Sequence, residues 1–210
     1  FTLADGSAGV NSAFLEAMAT AIGRDRIIVS VDARDGKIAV KGWTESAGID
    51  LVEGAAAVEP YCSELLFTCV EREGTMTGID MSLVERLRSA VKCRLVVAGG
   101  VSTVEEVVAL ERLGCDVQLG MALYTGKVAL KDGFIECLDW KKVELVTVVA
   151  QAETGEVLMV GYANREAFEK TFSTGKLTFW SRSRNVLWTK GETSGNTLGV
   201  VRLRVDCDRD

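Results

Sequence analysis

Two stretches of this 210-residue chain concentrate side chains that do chemistry. The segment "FWSRSRNVLWTKGETSGN", residues 179 to 196, interleaves Trp180 and Trp188 with Arg182, Arg184 and Lys190. Cations beside aromatic faces suit an anionic ligand that carries a stackable base. Glu192, Thr193, Ser194 and Asn196 add donors and acceptors, and a solvated charged face is the plainer reading of the same residues. Downstream, "VDCDRD" alternates Asp206, Asp208 and Asp210 along an expected extended strand, so the three share one face and Cys207 takes the other. Close carboxylates repel one another unless a hard cation such as Mg2+ neutralises them, whereas a thiolate prefers Zn2+. An exposed acidic strand end beside a buried cysteine is the alternative.

A second group of candidates lies nearer the N-terminus. Asp32 closes the apolar run "IIVSV", where a carboxylate either forms a turn or cap or is aimed into an active-site mouth. Thr68 to Glu73 follow the next apolar run. Gly99-Gly100 precede "VSTVEE", where free N–H groups at a helix start can bind phosphate, although tight turning explains paired glycines equally well. Gly120 and Met121 end a further run and could add a second lobe to that cradle. The chain contains no histidine, so proton transfer must use carboxylates, thiolates, Lys, Tyr or metals.

The elements that must carry these groups alternate. "RIIVSVDA", "ELLFTCV", "RLVVAGG" and "CDVQLGM" read as strands covered on both faces, being continuous and apolar. Between them "ESAGIDLVEGAAAVEPYC", "SLVERLRSAVK" and "STVEEVVALERLG" carry apolar residues at helical spacing. In the last, Ser102 or Thr103 can cap the helix, Glu105 and Glu106 favour its positive end, and Gly114 can end it. Strand-to-strand spacing of roughly 30 residues is that of one βα unit. Four such units make half of an eightfold barrel, which takes about 250 residues; an open doubly wound sheet fits the same pattern. From residues 134 to 145 the texture changes. "ELVTVVAQAETGEVLMVGY" reads as a hairpin, "NREAFEKTFSTG" as a helix between Asn164 and Gly175, and "KLTFWSRS", "NVLWTKG" and "TLGVVRLRVDCDRD" as further strands.

A formal charge of −6 argues against a nucleic-acid binder, since neutralising phosphates needs a clustered basic surface. No apolar run is long enough to span a membrane and no secretory leader is visible, which points to a cytoplasmic protein. The cysteines at 62, 69, 93, 115, 137 and 207 are scattered, mostly in apolar strings, and read as reduced core residues with Cys207 as the exception. Phe1 in place of a starting Met reads as the interior of a longer chain.

In combination "SVDARDGKIAVKGWTESAG", "TCVEREGTMTG", "VVAGGVSTVEEV" and "LGMALYTGK" resemble the second half of the ProFAR isomerase of histidine biosynthesis, a (βα)8 barrel. The resemblance implies an α/β fold in which residues 1 to 134 supply barrel strands 5 to 8. It also implies an Amadori rearrangement that opens a ribosyl aminal to a Schiff base and isomerises it to an aminoketose. By that resemblance Asp32 falls on the general acid that protonates the ribose ring oxygen, and Thr68 supports the step. Trp43 falls on a loop tryptophan that stacks on substrate; Gly99, Gly100, Gly120 and Met121 fall on a phosphate site. Glu73 stands where the family has aspartate, one methylene shorter. No cofactor is implied. The family's general base and second phosphate site precede Phe1, so these residues alone are expected to show no isomerase turnover.

"GEVLMVGYANREAFEKTFSTGKLTFWSRSRNVLWTKGETSGN" followed by "VDCDRD" resembles phosphoribosyl-AMP cyclohydrolase, which hydrolyses the N1–C6 bond of the adenine ring. That implies a small β-rich α+β domain over residues 135 to 210. The opening segment, with Ser181, Ser183 and Gly191, then lines a nucleotide pocket, Asp206, Asp208 and Asp210 hold Mg2+, and Cys207 is one of three zinc cysteines. It also implies phosphorylated small-molecule substrates and a homodimer. The other two zinc cysteines of the family lie past Asp210, so weak zinc binding is expected. The two resemblances together imply a bifunctional histidine-biosynthesis enzyme; the alternative is a non-catalytic barrel remnant acting as scaffold for the cyclohydrolase.

Overall fold

Runs of Val, Ile, Leu and Phe bounded by Gly, Asp and Ser form parallel strands here because their backbone groups find ladder partners while both neighbours bury apolar side chains. The computed structural model describes residues 1, 7 and 9–210. Two compact units divide between Ala129 and Leu130.

The first unit begins with α1 (Ser12–Ile22), capped by the Asn11 side chain, a helix with no counterpart in the sequence reading. Strand β1 (Ile28–Arg34) is followed by an antiparallel pair, β2 (Lys37–Val40) and β3 (Glu45–Asp50), then by α2 (Leu51–Val58). The expected helical stretch beginning at Glu45 is therefore strand for its first six residues. Asp50 ends that strand and accepts from the Val52 and Glu53 N–H groups, which starts the helix. Then come β4 (Glu64–Cys69), α3 (Met81–Ala90), β5 (Arg94–Ala98), α4 (Val104–Arg112), the two-residue β6 (Asp116–Val117) and the short α5 (Met121–Tyr124).

The sheet order is β3-β2-β1-β4-β5-β6, with β1, β4, β5 and β6 parallel. Four βα units in sequence are the barrel share expected from the spacing. Val31, Ala33, Leu65, Phe67, Leu95 and Val97 pack against Leu51, Ala55, Leu83, Val84 and Leu87 of the helices as one core. The opposite face differs from expectation. Ile28, on that face with Ser30 and Asp32, is 59% exposed, whereas Thr68 and Ala98 on the same face are buried, so this face is covered only in part by the described residues.

The second unit opens with α6 (Leu130–Cys137), which packs Ile135 and Phe134 on Phe168 and so shares its core with the later elements of the chain. Strands β7 (Val146–Gln151) and β8 (Val157–Ala163) form the expected hairpin. Helix α7 (Arg165–Thr174) has Asn164 as N-cap and Gly175 in the left-handed conformation as C-cap. Strands β9 (Thr178–Ser181) and β10 (Val186–Thr189) pair antiparallel. The expected last strand is absent: pairing stops at the Lys176–Gly199 bridge, and residues 201–206 carry no regular structure. No helix among the described residues is long and apolar enough to cross a membrane. All six cysteines are free thiols, with Cys62, Cys69 and Cys115 buried.

Candidate functional sites

Parallel pairing decides where the first unit's candidates stand. Asp32 pairs with Thr68 and Thr68 with Ala98, so the carboxyl ends of β1, β4 and β5 form one row. Asp32 Oδ1 accepts from Ser30 Oγ at 2.6 Å, and Oδ2 accepts from the Trp43 indole N–H at 2.8 Å. Trp43 reaches it from the β2–β3 turn, where Lys41, Gly42 and Trp43 all have positive φ (53°, 64° and 69°). The indole remains 37% exposed. A cleft of about 360 Å³ beside it is lined by Arg34 and Lys37 as well as Asp35 and Glu45. Thr68 is 8% exposed, held between neighbouring strands. Glu73 lies outside this row, exposed at the end of the 3-10 turn Val70–Arg72. Burial, with the nearby Glu71 charge, pushes the Cys69 thiol up to about 11, so it stays protonated and unreactive.

The space around the glycines differs. A Cβ on Gly99 would stand 2.6 Å from the Cys69 carbonyl oxygen, and one on Gly100 2.6 Å from that of Gly78. With φ of 90° and 91°, packing and conformation both require glycine at these two positions. A Cβ on Gly120 would meet nothing within 4 Å. Met121, just after it, is 45% exposed. Three amides around the start of α4 are already used: Thr103 and Glu106 form a capping box, and Glu106 Oε2 accepts from the N–H groups of Ser102 and Thr103.

In the second unit the register separates residues that the sequence draws together. Phe179 pairs with Trp188 and Trp180 with Leu187. Cross-strand partners share a face, so the two tryptophans lie on opposite faces of the ribbon and cannot grip one base between them. Trp188 stacks on Phe179 with ring centroids 5.8 Å apart. Arg184 and Lys190 lie over Trp188, at 6.0 and 5.9 Å, while Arg182 lies over Tyr162 at 3.7 Å. Glu192 Oε2 accepts from the Thr189 N–H, and residues 190–197 close on themselves through Gly195 N–H to Gly191 carbonyl and Asn196 N–H to Ser194 Oγ. Thr193, Ser194 and Asn196 are exposed on that turn. Gly191 is obligatory in it: a Cβ would fall 2.1 Å from the Asn196 carbonyl oxygen.

The acidic tail corrects the expected one-face alternation. Asp206 Oδ1 accepts from the N–H groups of Asp208 and Arg209, an Asx-type turn that ends any extended run. Asp210 and Asp208 instead flank the Lys142 ammonium, at 2.5 and 3.9 Å. The Asp139 N–H donates to the Arg209 carbonyl at 2.9 Å, fixing the tail to the turn after α6. Cys207 is exposed, with Asp208 as its polar neighbour at 3.8 Å.

Residues 4–129 match the model of a family described as histidine biosynthesis protein, and residues 159–210 match that of phosphoribosyl-AMP cyclohydrolase. The first match takes in more than half of the chain. The chain belongs to the histidine biosynthesis protein family. The family is a (βα)8 barrel, to which the four parallel βα units conform. A 1-(5-phosphoribosyl)-5-((5-phosphoribosylamino)methylideneamino)imidazole-4-carboxamide isomerase of Methanocorpusculum labreanum is 42% identical over 121 residues, 57% of this chain and 51% of that protein. The histidine biosynthesis bifunctional protein HisIE of Escherichia coli (strain K12) is 55% identical over 75 residues, 35% of this chain and 37% of that protein. A phosphoribosyl-AMP cyclohydrolase of Hyphomonas neptunium is 60% identical over 67 residues, 31% and 51% of the two chains. The chain thus spans between about a third and a half of the curated relatives it matches.

Among the described residues of this histidine biosynthesis family member, no three His, Cys, Asp or Glu side chains are arranged to hold a metal ion. The donor chemistry of the tail fits Mg2+, because Asp208 and Asp210 already gather around a cation, Lys142. Cys207, the exposed thiol of the tail, supplies one of the three or four ligands that a zinc ion takes. Sequence reasoning missed Tyr162 beneath Arg182 and Lys142 beneath the tail. Neither has a local signal, because both contacts join residues far apart in sequence. The cap made by Glu106 was within reach: "TVEE" after a strand is the Thr-x-x-Glu signature of a capping box.

Proposed function

We propose that the first unit carries the acid-bearing portion of a ProFAR isomerase site and the second the nucleotide-holding portion of a phosphoribosyl-AMP cyclohydrolase site, both serving histidine biosynthesis. The observation that carries this reading is the row in which Asp32 stands beside Thr68 at the carboxyl ends of parallel strands, with Trp43 bonded to the same carboxylate. Barrel enzymes place their chemistry at that edge. Opening a ribosyl ring breaks the bond between the anomeric carbon and the ring oxygen, and the oxygen leaves only as it gains a proton. Asp32 in its acid form delivers that proton, while the Trp43 indole, freed from Asp32, stacks on the substrate. Isomerisation of the resulting Schiff base to the aminoketose completes the Amadori rearrangement. Gly120, whose missing side chain no neighbour explains, leaves room for a phosphate beside Met121.

In the second unit Arg184 and Lys190 around Trp188 form the cationic, stackable surface for phosphoribosyl-AMP, whose N1–C6 bond is cleaved by water. Asp206, Asp208 and Asp210 are the Mg2+ carboxylates of this reading. Cys207 is the thiolate that zinc would take, one of the several ligands such an ion needs. A homodimer through this unit is part of the reading, supported by Val149, Leu158 and Val160, exposed together on the β7–β8 hairpin. Six free cysteines accord with a cytoplasmic setting, and the net charge of −6 with small phosphorylated ligands rather than nucleic acid.

The test is calorimetric titration of both substrates into the purified chain. ProFAR is expected to bind saturably, with Trp43→Ala weakening it roughly tenfold and leaving phosphoribosyl-AMP affinity unchanged. A folded chain that binds neither substrate overturns the reading in favour of a scaffold.

A further inference from the structure

The peptide unit joining Gly78 to Ile79 is held at both of its polar ends. Arg72 Nη1 donates to the Gly78 carbonyl at 3.0 Å, and the Ile79 N–H donates to Glu106 Oε1 at 2.9 Å. The Gly78 N–H donates in turn to the Gly100 carbonyl at 3.0 Å. The other oxygen of Glu106 accepts from Ser102 N–H at 2.8 Å, Ser102 Oγ at 3.1 Å and Thr103 N–H at 3.1 Å. One carboxylate thus ties the β4–α3 loop to the start of α4 and straddles the Gly99-Gly100 turn. The packing leaves no slack. A Cβ on Gly78 would stand 2.7 Å from Glu106 Oε1, and one on Gly100 2.7 Å from Arg72 Cβ.

Helix formation does not require this much. A capping box needs only the reciprocal bonds between the N-cap residue and the third helical residue. The bond to Ile79 joins residues 27 apart and adds nothing to the α4 start. Its effect falls on the loop that bears Glu73 and on the glycine turn beside it. Burial pushes the Glu106 carboxyl up, but the N–H groups of Ser102 and Ile79 outweigh it and hold the group below the usual carboxylate range. The cross-link stays charged at neutral pH.

We propose that Glu106, with Arg72 as its counterpart on the same peptide unit, is a positioning residue for the phosphate end of the first unit's site, fixing the Gly99-Gly100 turn against the loop of residues 73–80. The inference rests on the ProFAR reading above. Because Glu106 already uses the Ser102 and Thr103 N–H groups, a substrate phosphate is met by the glycine turn and not by those two amides at the start of α4. Glu106 itself touches no substrate.

The experiment titrates ProFAR, and separately inorganic phosphate, into the full chain as wild type, Glu106→Gln and Glu106→Ala. Amide exchange at Ile79 and the thermal midpoint are followed in the same samples. Glu106→Ala is expected to weaken both ligands roughly tenfold, the scale on which supporting groups act, and to speed exchange at Ile79. Glu106→Gln, which keeps an accepting oxygen, recovers most of that affinity. A purely structural role would lower the thermal midpoint while leaving both dissociation constants within about twofold of wild type, and that result overturns the inference alone. Wild-type chain that binds neither ligand overturns the ProFAR reading and this inference with it. Should Glu106→Ala not fold, Arg72→Ala, which frees the Gly78 carbonyl, decides: weaker ProFAR binding with unchanged phosphoribosyl-AMP binding supports the proposal, and unchanged ProFAR binding contradicts it.

Discussion

In the first unit the candidate acid stands at the end of a strand whose neighbours on the sheet are fixed residue by residue. Asp32 faces Thr68, and Thr68 faces Ala98, because a slip by one residue would turn Val31 and Phe67 out of the core. In the second unit the candidate ligands ride on a turn and a tail. Residues 190–197 are held by bonds within the turn and by Lys190 and Glu192 to Leu177 and Thr189, and residues 206–210 by an Asx-type turn, one backbone bond and the Lys142 charge. Side chains at strand ends inherit their placement from the core, whereas those of the tail take it from whatever partner is nearest. The tail therefore answers to its ionic surroundings and the strand-end row does not.

The sharpest way to break the comparison is to damage the core that sets the row. Phe67→Ala empties a fully buried position of β4 and should cost about 3–5 kcal/mol. Urea unfolding followed by amide exchange in β1, β4 and β5 reads it; a loss below about 1 kcal/mol would mean that register does not depend on this packing. Next is Gly191→Ala, which forces a left-handed residue at about 1–2 kcal/mol before its clash with the Asn196 carbonyl is added. Amide exchange should rise through residues 189–197 and leave β1, β4 and β5 unchanged. Thr103→Ala removes the α4 cap and should cost about 1 kcal/mol by the same unfolding measurement.

Glu106 adds a pH dependence of known sign. Its carboxyl is held below the ordinary glutamate value of about 4.3, so its contribution is complete above that pH and is lost as pH falls through the lowered folded value. Thermal midpoints between neutral pH and that acid range should fall more steeply for wild type than for Glu106→Gln, and parallel curves would remove Glu106 from the account. The smallest effect is expected from Lys142→Met. It should leave the thermal midpoint unchanged, because exposed ion pairs contribute little, yet speed amide exchange at Asp139, where the tail is bonded.

Legibility in the sequence divides along the same line. β1, β4 and β5 were legible because a run of apolar residues in a parallel sheet has one way to be buried, and their ends gave Asp32 and the stretch from Thr68 to Glu73. The β7–β8 hairpin and the Asn164 and Gly175 ends of α7 were legible from turn and cap residues. The β2–β3 pair was not. Its turn puts Lys41 and Trp43 at positive φ on either side of Gly42, the one residue of the three that signals a turn, and Ala47 and Ile49 fit a helical spacing as well as a strand. The tail misled for a related reason: alternation predicts a strand only where a partner strand exists, and pairing ends at Gly199. Trp180 and Trp188 are close in sequence but on opposite faces, which only the β9–β10 register reveals.

The central claim is that the strand-end row is a binding site for a phosphorylated ribosyl substrate. The most direct test is an NMR titration of ProFAR into the isotope-labelled full chain, tracking backbone amides and the four tryptophan indoles. Saturable shifts at Asp32, Thr68, Gly99-Gly100 and the Trp43 indole, with the Trp188 indole unmoved, are the predicted result. Saturable shifts confined to the second unit, or none in a folded chain, would contradict it.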